Sequence, residues 1–245
     1  MRGLPRVRAL QGRAPVVSAI DWSARTHELD QQGWSVHPQL LSPYACGEIA
    51  AMWSDERRFR STVVMARHGF GRGEYRYFAA PLPEPIARLR TELYPPLASI
   101  ANRWAAASGI ELRYPDTLAE LLARCHDAGQ VRPTPLLLSY SPGDYNCLHQ
   151  DRYGELVFPL QVAILLDAPG RDFDGGEFVI TEQRPRMQSR ASVLPLARGD
   201  AAIFAVSRRP VQGARGRYHV MHRHGVSVLR SGQRRTLGII FHDAP

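Results

Sequence analysis

The sequence has no lysine, few cysteines and no long hydrophobic run. All 31 basic residues are arginine. A membrane-spanning helix needs about 20 consecutive apolar residues, and no segment of this chain approaches that length. Cys46, Cys125 and Cys147 are widely spaced and include no Cys-x-x-Cys pair. These absences argue against a membrane span and a disulfide framework, and they favour a protein of the reducing cytoplasm.

Acidic residues are also scarce relative to arginine, so the formal net charge is +8. A basic balance favours an anionic partner, nucleic acid above all, although an arginine-rich composition alone would give the same charge. Residues 1–20 include Arg2, Arg6, Arg8 and Arg13 and no acid. We predict that they form a basic, flexible tail.

Residues 21–133 are predicted to be a mainly helical support region. Serine as N-cap and proline at the first helical position mark a helix at residues 42–53. Apolar residues recur at three- and four-residue steps from Ile86 to Trp104. Because Pro95-Pro96 interrupts them, two helices end to end are expected there. Further short helices are predicted at residues 21–32 and 117–126.

A glycine and aromatic segment interrupts this region at residues 68–78. Its glycines alternate with aromatic residues and arginines, which suits a flexible loop entering a strand. Aromatic side chains can stack on bases and arginines can bind phosphate, so the predicted substrate residues are Arg72, Tyr75, Arg76 and Tyr77. The alternative is a glycine-rich hairpin whose aromatic side chains pack inward.

Helix signals disappear after residue 133, and short strand-like segments separated by glycine and proline turns follow. Examples are residues 136–140, 156–166, 177–182, 201–206 and 235–242. Such spacing is typical of an antiparallel sandwich or jelly roll. The predicted fold class is therefore α+β, with a double-stranded β-helix (jelly roll) core at residues 134–245 that forms one compact unit with the helices before it.

His149-Gln150-Asp151 is the candidate metal motif. On an extended segment residues i and i+2 project to the same face, so His149 and Asp151 can hold one metal while Gln150 points away. A third ligand can come from His219, His222 or His224. Two histidines and one carboxylate form the face expected of a non-haem Fe(II) oxygenase. Cys147 is predicted to be buried packing.

The C-terminal stretch carries a family resemblance. His224-Gly225-Val226, Gly232-Gln233-Arg234, Leu237 and Phe241 resemble the signature of 2-oxoglutarate/Fe(II) dioxygenases. The resemblance implies that His149, Asp151 and His224 bind Fe(II), that Arg234 binds the far carboxylate of 2-oxoglutarate, and that Tyr140 and Gln161 also contact it. O2 is the other cosubstrate. A guanidinium can engage a carboxylate through two parallel hydrogen bonds.

The turn 174–178 (Asp-Gly-Gly-Glu-Phe) resembles the Gly-Gly-Glu turn before a jelly-roll strand in the same dioxygenases. Residues 143–158 and 185–189 (Pro-Arg-Met-Gln-Ser) resemble, more closely, a bacterial dioxygenase family described as acting on damaged nucleic acid. That family is akin to the AlkB demethylases. The resemblance implies oxidative demethylation of alkylated nucleobases in DNA, presented as a single strand or as a flipped base.

Other functions fit parts of the pattern. The prolyl-hydroxylase branch of the dioxygenases shares the tyrosine, the Gly-Gly-Glu turn and the His…Arg spacing. A hydroxylase of a protein side chain or of a small molecule is therefore the main alternative. A zinc hydrolase could use the same histidines and carboxylate but would not need Arg234. A cupin-like binding protein normally has different His/Glu spacing. No feature of the sequence predicts an oligomeric state.

Overall fold

The computed structural model describes residues 17–245 except Arg215. The α-helices of this part are α1 (Trp22–Gln32), α2 (Pro43–Ala51), α3 (Glu84–Ala107) and α4 (Leu118–Asp127). The strands are β1 (Trp34–His37), β2 (Phe59–Val64), β3 (Gly71–Arg72), β4 (Glu74–Phe78), β5 (Leu136–Tyr140), β6 (Tyr145–His149), β7 (Leu160–Leu165), β8 (Phe173–Gly175), β9 (Phe178–Gln183), β10 (Arg190–Leu194), β11 (Ala201–Ala205), β12 (Arg208–Gly213), β13 (Gly216–Val226), β14 (Leu229–Gly232) and β15 (Arg234–Ile239).

Two antiparallel sheets face each other and confirm the predicted α+β jelly roll. The large sheet has the order β1-β11-β7-β15-β5-β4-β2. The small sheet has the order β10-β9-β13-β6-β3, and β12 pairs with β13 beside this path. A third, two-stranded sheet joins β14 to β8. Strand β13 is the longest and pairs with three partners, which makes it the centre of the small sheet.

The hydrophobic core lies on both faces of the large sheet. Every residue of β7 is buried, as expected of a strand covered on two sides. Val162 and Ile164 pack with helical residues such as Leu93. Ala163 and Leu165 point the other way, toward the small sheet. Helices therefore back one face of the large sheet and leave the space between the sheets for a site.

The region before residue 134 is more than a helical support. It contributes β1, β2 and β4 to the large sheet and β3 to the small one. The predicted tail also ends earlier than residue 20, because Val17 and Ile20 are buried in the core. Residues 1–16 lie outside the described residues.

Helix α3 corrects the prediction of two helices around Pro95-Pro96. It runs without a break from Glu84 to Ala107 with both prolines inside. Each proline removes one backbone hydrogen bond from a helix. The apolar stripe continues across them, with Leu93, Leu97 and Ala101 all buried, and this packing holds the two segments on one axis.

Two predicted helix starts are confirmed, at Ser42 for α2 and at Thr117 for α4. Each of these side chains accepts a hydrogen bond from a backbone N–H of the first helical turn. None of the helices in the described part of the chain combines the length and apolar character that a membrane crossing requires.

Candidate active site

Strand pairing brings the distant histidines together. His149 is the last residue of β6, His224 lies on β13, and the two are direct partners in the ladder. A β-bulge lies next to this pair. His149 pairs with His224 and Asn146 pairs with Val226, so β6 has one residue more than β13 between the two pairs. Such bulges redirect side chains near active sites. This one places both imidazoles on the inner face of the small sheet.

Gly225 allows this close pairing. A Cβ atom at this position would lie 2.6 Å from the carbonyl oxygen of Asn146, far inside ordinary contact. The glycine of the His224-Gly225-Val226 motif therefore lets β13 approach the bulged part of β6. The same bulge exposes Cys147, so the prediction that this thiol is buried is wrong.

His149, Asp151 and His224 form a group that could hold a metal ion. Their ligand atoms all lie within 4.8 Å of one another. The Nε2 atom of His149 is 3.5 Å from Oδ1 of Asp151, and that of His224 is 3.4 Å from Oδ2. Two imidazoles and one carboxylate on one face leave other coordination positions open, which suits Fe(II).

The protein orients these side chains for metal binding. Nδ1 of His149 lies 2.8 Å from the carbonyl oxygen of Cys147; since a carbonyl only accepts, Nδ1 carries the proton and Nε2 presents a lone pair. Burial alone would raise the pKa of the Asp151 carboxyl, but hydrogen bonds to His149 and His224 hold this pKa well below its usual value. The Gln150 amide donates to the His222 carbonyl oxygen; Gln150 lines the cavity but is not part of the candidate metal group.

Arg234 lies on the opposite wall and lacks an acidic partner. Its side chain is 1% exposed, its Nη1 donates to Thr236 Oγ1 at 2.7 Å, and its Nε is buried without a hydrogen-bond partner. No carboxylate in the part of the chain that the structure describes forms an ion pair with it; Asp167 and Glu177 act only over longer distances. Burial lowers the pKa of Arg234. A buried guanidinium with a free donor fits the carboxylate of a ligand.

Two neighbours of Arg234 also fit a ligand with oxygen atoms. Tyr140 is the ladder partner of Arg234. Burial raises the pKa of Tyr140 to about 12, so its hydroxyl stays protonated and able to donate at neutral pH. Gln161 on β7 is 4% exposed, and its amide oxygen has no hydrogen-bond partner. Polar atoms left unpaired inside a protein need a partner such as water or a ligand.

The Gly-Gly turn at residues 175–176 makes room for Arg234. Gly176 has φ +62°, and a Cβ atom there would lie 2.9 Å from Cδ of Arg234. The side chain of Arg234 thus lies directly against the backbone of the turn. Gly176, the second glycine of the Asp-Gly-Gly-Glu-Phe segment, therefore helps to shape the pocket around the guanidinium.

A single cavity of about 330 Å³ joins these groups. The candidate metal ligands line one side, and Arg234, Tyr140 and Gln161 line the other. Most of the remaining wall is apolar or aromatic. Asp151 and Arg234 are the only carboxylate and guanidinium among its described lining residues.

A family model described as "Oxygenase, catalysing oxidative methylation of damaged DNA" matches residues 73–244. The chain belongs to this family, Oxygenase-NA. The matched segment includes every residue of the candidate metal and carboxylate sites. It begins at Gly73, and so includes β4 together with the jelly-roll strands that follow it.

One relative in sequence and two solved structures are similar to this chain. A protein of Mycobacterium tuberculosis (strain ATCC 25618 / H37Rv), described as uncharacterized, is 48% identical over 191 residues, which cover 77% of this chain and 82% of the relative. A Burkholderia pseudomallei oxidoreductase of the 2OG-Fe(II) oxygenase family is structurally similar, with a TM-score of 0.53, 15% identity and coverage of 92% and 93%. A Pseudomonas putida prolyl-4-hydroxylase gives a TM-score of 0.51, 14% identity and coverage of 91% and 99%. The Oxygenase-NA chain therefore has the 2-oxoglutarate/Fe(II) oxygenase fold.

The two other histidines of β13 in this Oxygenase-NA chain lie apart from the candidate metal ligands. His219 Nε2 is 2.9 Å from the hydroxyl of Ser108, after helix α3. His222 lies on the inner face of the small sheet but packs against Arg209, whose Nε is 3.4 Å from its Nε2. Burial lowers the pKa of His222 to about 4, which keeps it neutral beside that cation.

Of the four predicted substrate residues, the structure brings only Tyr75 to the cavity. Arg72 is exposed on β3 and lines a separate groove. Arg76 donates to the Trp53 carbonyl oxygen and lies over its ring. Tyr77 is buried and reaches the site only through other residues. Successive residues of β4 face opposite sides of the sheet, so Arg76 points away from Tyr75, while Tyr77 shares the face of Tyr75 and packs inward. A role of Arg72, Arg76 or Tyr77 at the substrate stays a prediction.

Phe70, Leu148 and Tyr153 are among the cavity residues of the Oxygenase-NA site that sequence reasoning did not single out. Phe70 and Leu148 are 47% and 45% exposed and line the cavity, and the Phe70 ring stacks on His68 at 5.4 Å. The Tyr153 hydroxyl donates to Oδ1 of Asp151 at 2.8 Å. Extending the alternation from His149 and Asp151 by two residues would have found Tyr153. Nothing in the sequence distinguished Phe70 from its aromatic neighbours.

Proposed function

We propose that this oxygenase removes methyl groups oxidatively from alkylated nucleobases in DNA, with His149, Asp151 and His224 as ligands of Fe(II). Arg234 binds the distal carboxylate of 2-oxoglutarate, and Tyr140 and Gln161 contact the same molecule. The observation that carries the proposal is the pairing, across one cavity, of a His/Asp/His group with a buried arginine that lacks an acidic partner.

Each side chain has a task that its surroundings support. His149 presents the lone pair of Nε2 to the metal because its Nδ1–H donates a hydrogen bond to the carbonyl oxygen of Cys147. Arg234 provides the charge that selects a dicarboxylate, and its neighbours fix its position. When bound, Fe(II) and 2-oxoglutarate supply the activation of O2 that inserts one oxygen atom into a substrate C–H bond, with succinate and CO2 as coproducts. The apolar walls limit the access of water to that reaction.

The substrate class is supported by the family description and by the cavity. The family is described as acting on damaged DNA. Tyr75 and Phe70 line the cavity, and Phe70 presents an exposed ring stacked on His68. A base that leaves its stack needs an aromatic or apolar pocket. The net charge of +8 favours an anionic strand.

Hydroxylation of an N-methyl group gives an N-hydroxymethyl group. Its C–N bond breaks to release formaldehyde: the ring nitrogen keeps the electron pair of that bond, and the hydroxyl group loses its proton to solvent. The base is thereby restored.

The cytoplasm is the proposed location, in keeping with the free thiols of Cys46, Cys125 and Cys147.

Hydroxylation of a protein side chain or of a small molecule is the second candidate. The cavity wall offers no charge to a substrate once Asp151 and Arg234 are engaged, and an uncharged side chain would also fit such a wall. A zinc hydrolase or a cupin-like binding protein accounts less well for Arg234, because neither needs a buried guanidinium facing the metal ligands.

The test is aerobic turnover of a single-stranded oligonucleotide carrying 1-methyladenine or 3-methylcytosine, with Fe(II), 2-oxoglutarate and ascorbate. The expected result is formaldehyde and succinate in equal amounts, together with loss of the methyl group by mass spectrometry. The unmethylated oligonucleotide of the same sequence and the His224→Ala variant are the controls.

Two results would overturn parts of the proposal. If succinate forms with a proline-containing peptide while the methylated strand is unchanged, the nucleobase is not the substrate and the second candidate, a hydroxylase of a protein side chain, is supported. A folded wild-type protein that binds neither Fe(II) nor 2-oxoglutarate in an anaerobic titration would remove the assignment of the site itself.

A further inference from the structure

The two oxygens of the Asp151 carboxylate have different surroundings. Oδ1 accepts a hydrogen bond from the Tyr153 hydroxyl at 2.8 Å. Each oxygen has one imidazole nearby, His149 Nε2 at 3.5 Å from Oδ1 and His224 Nε2 at 3.4 Å from Oδ2, but Oδ2 accepts no bond from Tyr153. A carboxylate can bind a metal through one oxygen or through both. The two carboxylate oxygens therefore differ in their hydrogen bonding even without a metal.

Tyr153 is itself held in place by a second tyrosine. The Tyr77 hydroxyl donates to the Tyr153 hydroxyl oxygen at 3.0 Å. Tyr77 is buried, packs edge-on against Tyr75 and Tyr153, and has the guanidinium of Arg60 4.4 Å from its ring centroid. Tyr153 therefore accepts from Tyr77 and donates its own proton to Asp151.

Both hydroxyls keep their protons under ordinary conditions. An ordinary tyrosine hydroxyl titrates at about pH 10, so it carries its proton at neutral pH. A carboxylate oxygen only accepts, so the proton between Tyr153 and Asp151 belongs to Tyr153. The chain of hydrogen bonds from Tyr77 through Tyr153 to Asp151 consequently has one direction, and it ends on Oδ1.

We propose that Tyr153, supported by Tyr77, keeps Asp151 a one-oxygen ligand of the metal. The inference rests on the proposed function in one respect, the assignment of His149, Asp151 and His224 as metal ligands. A hydrogen bond from Tyr153 occupies Oδ1, so Oδ2 is the oxygen left for the metal. Groups that hydrogen-bond to metal ligands fix their orientation in this way.

The consequence concerns the open coordination positions. A facial triad of three single-atom ligands leaves three positions for 2-oxoglutarate and O2. If Asp151 bound through both oxygens, it would take one of the three and compete with 2-oxoglutarate. Tyr153 is thus a positioning residue whose effect falls on cosubstrate binding.

The test compares Tyr153→Phe with wild type using Mn(II) alone, without substrate. Water-proton relaxation by bound Mn(II) depends on how many water molecules occupy its open positions. A second carboxylate oxygen would displace one of three, so the inner-sphere contribution is expected to fall by about one third in Tyr153→Phe. The affinity of the Mn(II)-loaded variant for 2-oxoglutarate is expected to fall about tenfold.

Two further variants make the result specific. Tyr77→Phe removes only the supporting hydroxyl and is expected to give a smaller change in the same direction. Tyr145→Phe, at the start of β6 and without a hydrogen bond to Asp151, is expected to behave as wild type. Thermal unfolding of each variant confirms that the folded protein is compared.

The outcomes separate this inference from the proposed function. If Mn(II) relaxation and 2-oxoglutarate affinity are the same in Tyr153→Phe and wild type, the one-oxygen role is wrong while the ligand assignment stands. If Mn(II) affinity alone falls and the number of bound waters is unchanged, Tyr153 only stabilises Asp151 and the inference is also wrong. Failure of wild type to bind Mn(II), or unchanged binding in His224→Ala, would instead contradict the proposed function.

Discussion

Arg90 and Arg234 are both almost completely buried, at 2% and 1% exposure, but their donors are used differently. Arg90, on α3, donates to the carbonyl oxygens of Ile240 and Phe241 at 2.9 Å and to Asp243 at 2.8 Å. Arg234 donates to the hydroxyl of Thr236, and its Nε has no partner. The first guanidinium is neutralised by the protein itself, and the second is left with charge and donors facing a cavity.

This difference separates a structural arginine from a binding one. Burying an unpaired charge costs several kcal/mol, and an ion pair offsets that cost only when its geometry is good. Arg90 meets this condition and fastens the C-terminal segment to α3. Arg234 does not meet it within the chain, so its burial is explained by a carboxylate that arrives with a ligand.

The largest expected effect is on stability, from Arg90→Met. The change leaves the buried Asp243 carboxylate and two carbonyl oxygens without this donor. Breaking a buried pair in this way typically costs about 3–5 kcal/mol. The free energy of unfolding, measured by urea denaturation, should fall by that amount.

The control for Arg90 is Arg103→Met on the same helix. Arg103 forms a half-exposed ion pair with Asp30 at 3.0 Å, and such pairs contribute about 0–1 kcal/mol. The comparison between the two buried arginines breaks down if Arg90→Met costs no more than this control.

The next effect is on ligand affinity, from Arg234→Met. Without the guanidinium, the distal carboxylate of 2-oxoglutarate loses its charged partner, and affinity of the Mn(II)-loaded protein should fall about 100-fold. The free energy of unfolding should stay within about 1 kcal/mol of wild type or rise, because the change removes an uncompensated buried charge. Anaerobic calorimetric titration and urea denaturation measure the two quantities.

Arg230→Met provides the matched control, since Arg230 is exposed and its closest carboxylate is Glu177 at 3.5 Å. It should leave 2-oxoglutarate affinity unchanged. A large loss of stability in Arg234→Met with unchanged affinity would mean that Arg234 resembles Arg90 after all.

The sequence predicted those features of the site that depend on local spacing. His149 and Asp151 lie two residues apart, so strand alternation alone puts them on one face. His224 and Arg234 were identified through the spacing of a family signature. The α+β jelly roll followed from turn residues that separate short apolar segments. Each of these signals is contained in a few neighbouring residues.

Features that depend on distant pairing were not predictable. The bulge that exposes Cys147 depends on the pairing of β6 with β13, which residue spacing does not encode. The hairpin of β12 and β13 was missed because its buried positions include Arg209 and His222, so it lacks the apolar alternation of an ordinary strand. That Tyr75 lines the cavity while Arg76 does not depends on which face of β4 turns toward the site, and the sequence does not reveal this.

The smallest expected effect comes from Gly176→Ala, which tests how the turn positions Arg234. Alanine at φ +62° is strained, and its Cβ atom would lie 2.9 Å from Cδ of Arg234. The strain should cost about 1 kcal/mol of stability. The displaced guanidinium should weaken 2-oxoglutarate binding by several-fold, measured by the same calorimetric titration.

Gly170→Ala isolates the part of this effect that involves Arg234. Gly170 has φ +75°, and a Cβ atom there would meet nothing within 4 Å. The two alanine variants should therefore lose similar stability through backbone strain, while only Gly176→Ala should lose affinity for 2-oxoglutarate. Equal affinities in the two variants would show that Arg234 does not need the Gly-Gly turn for its position. The glycine would then serve the fold of the β8–β9 connection alone, and the guanidinium would have to be held by Thr236 and its strand.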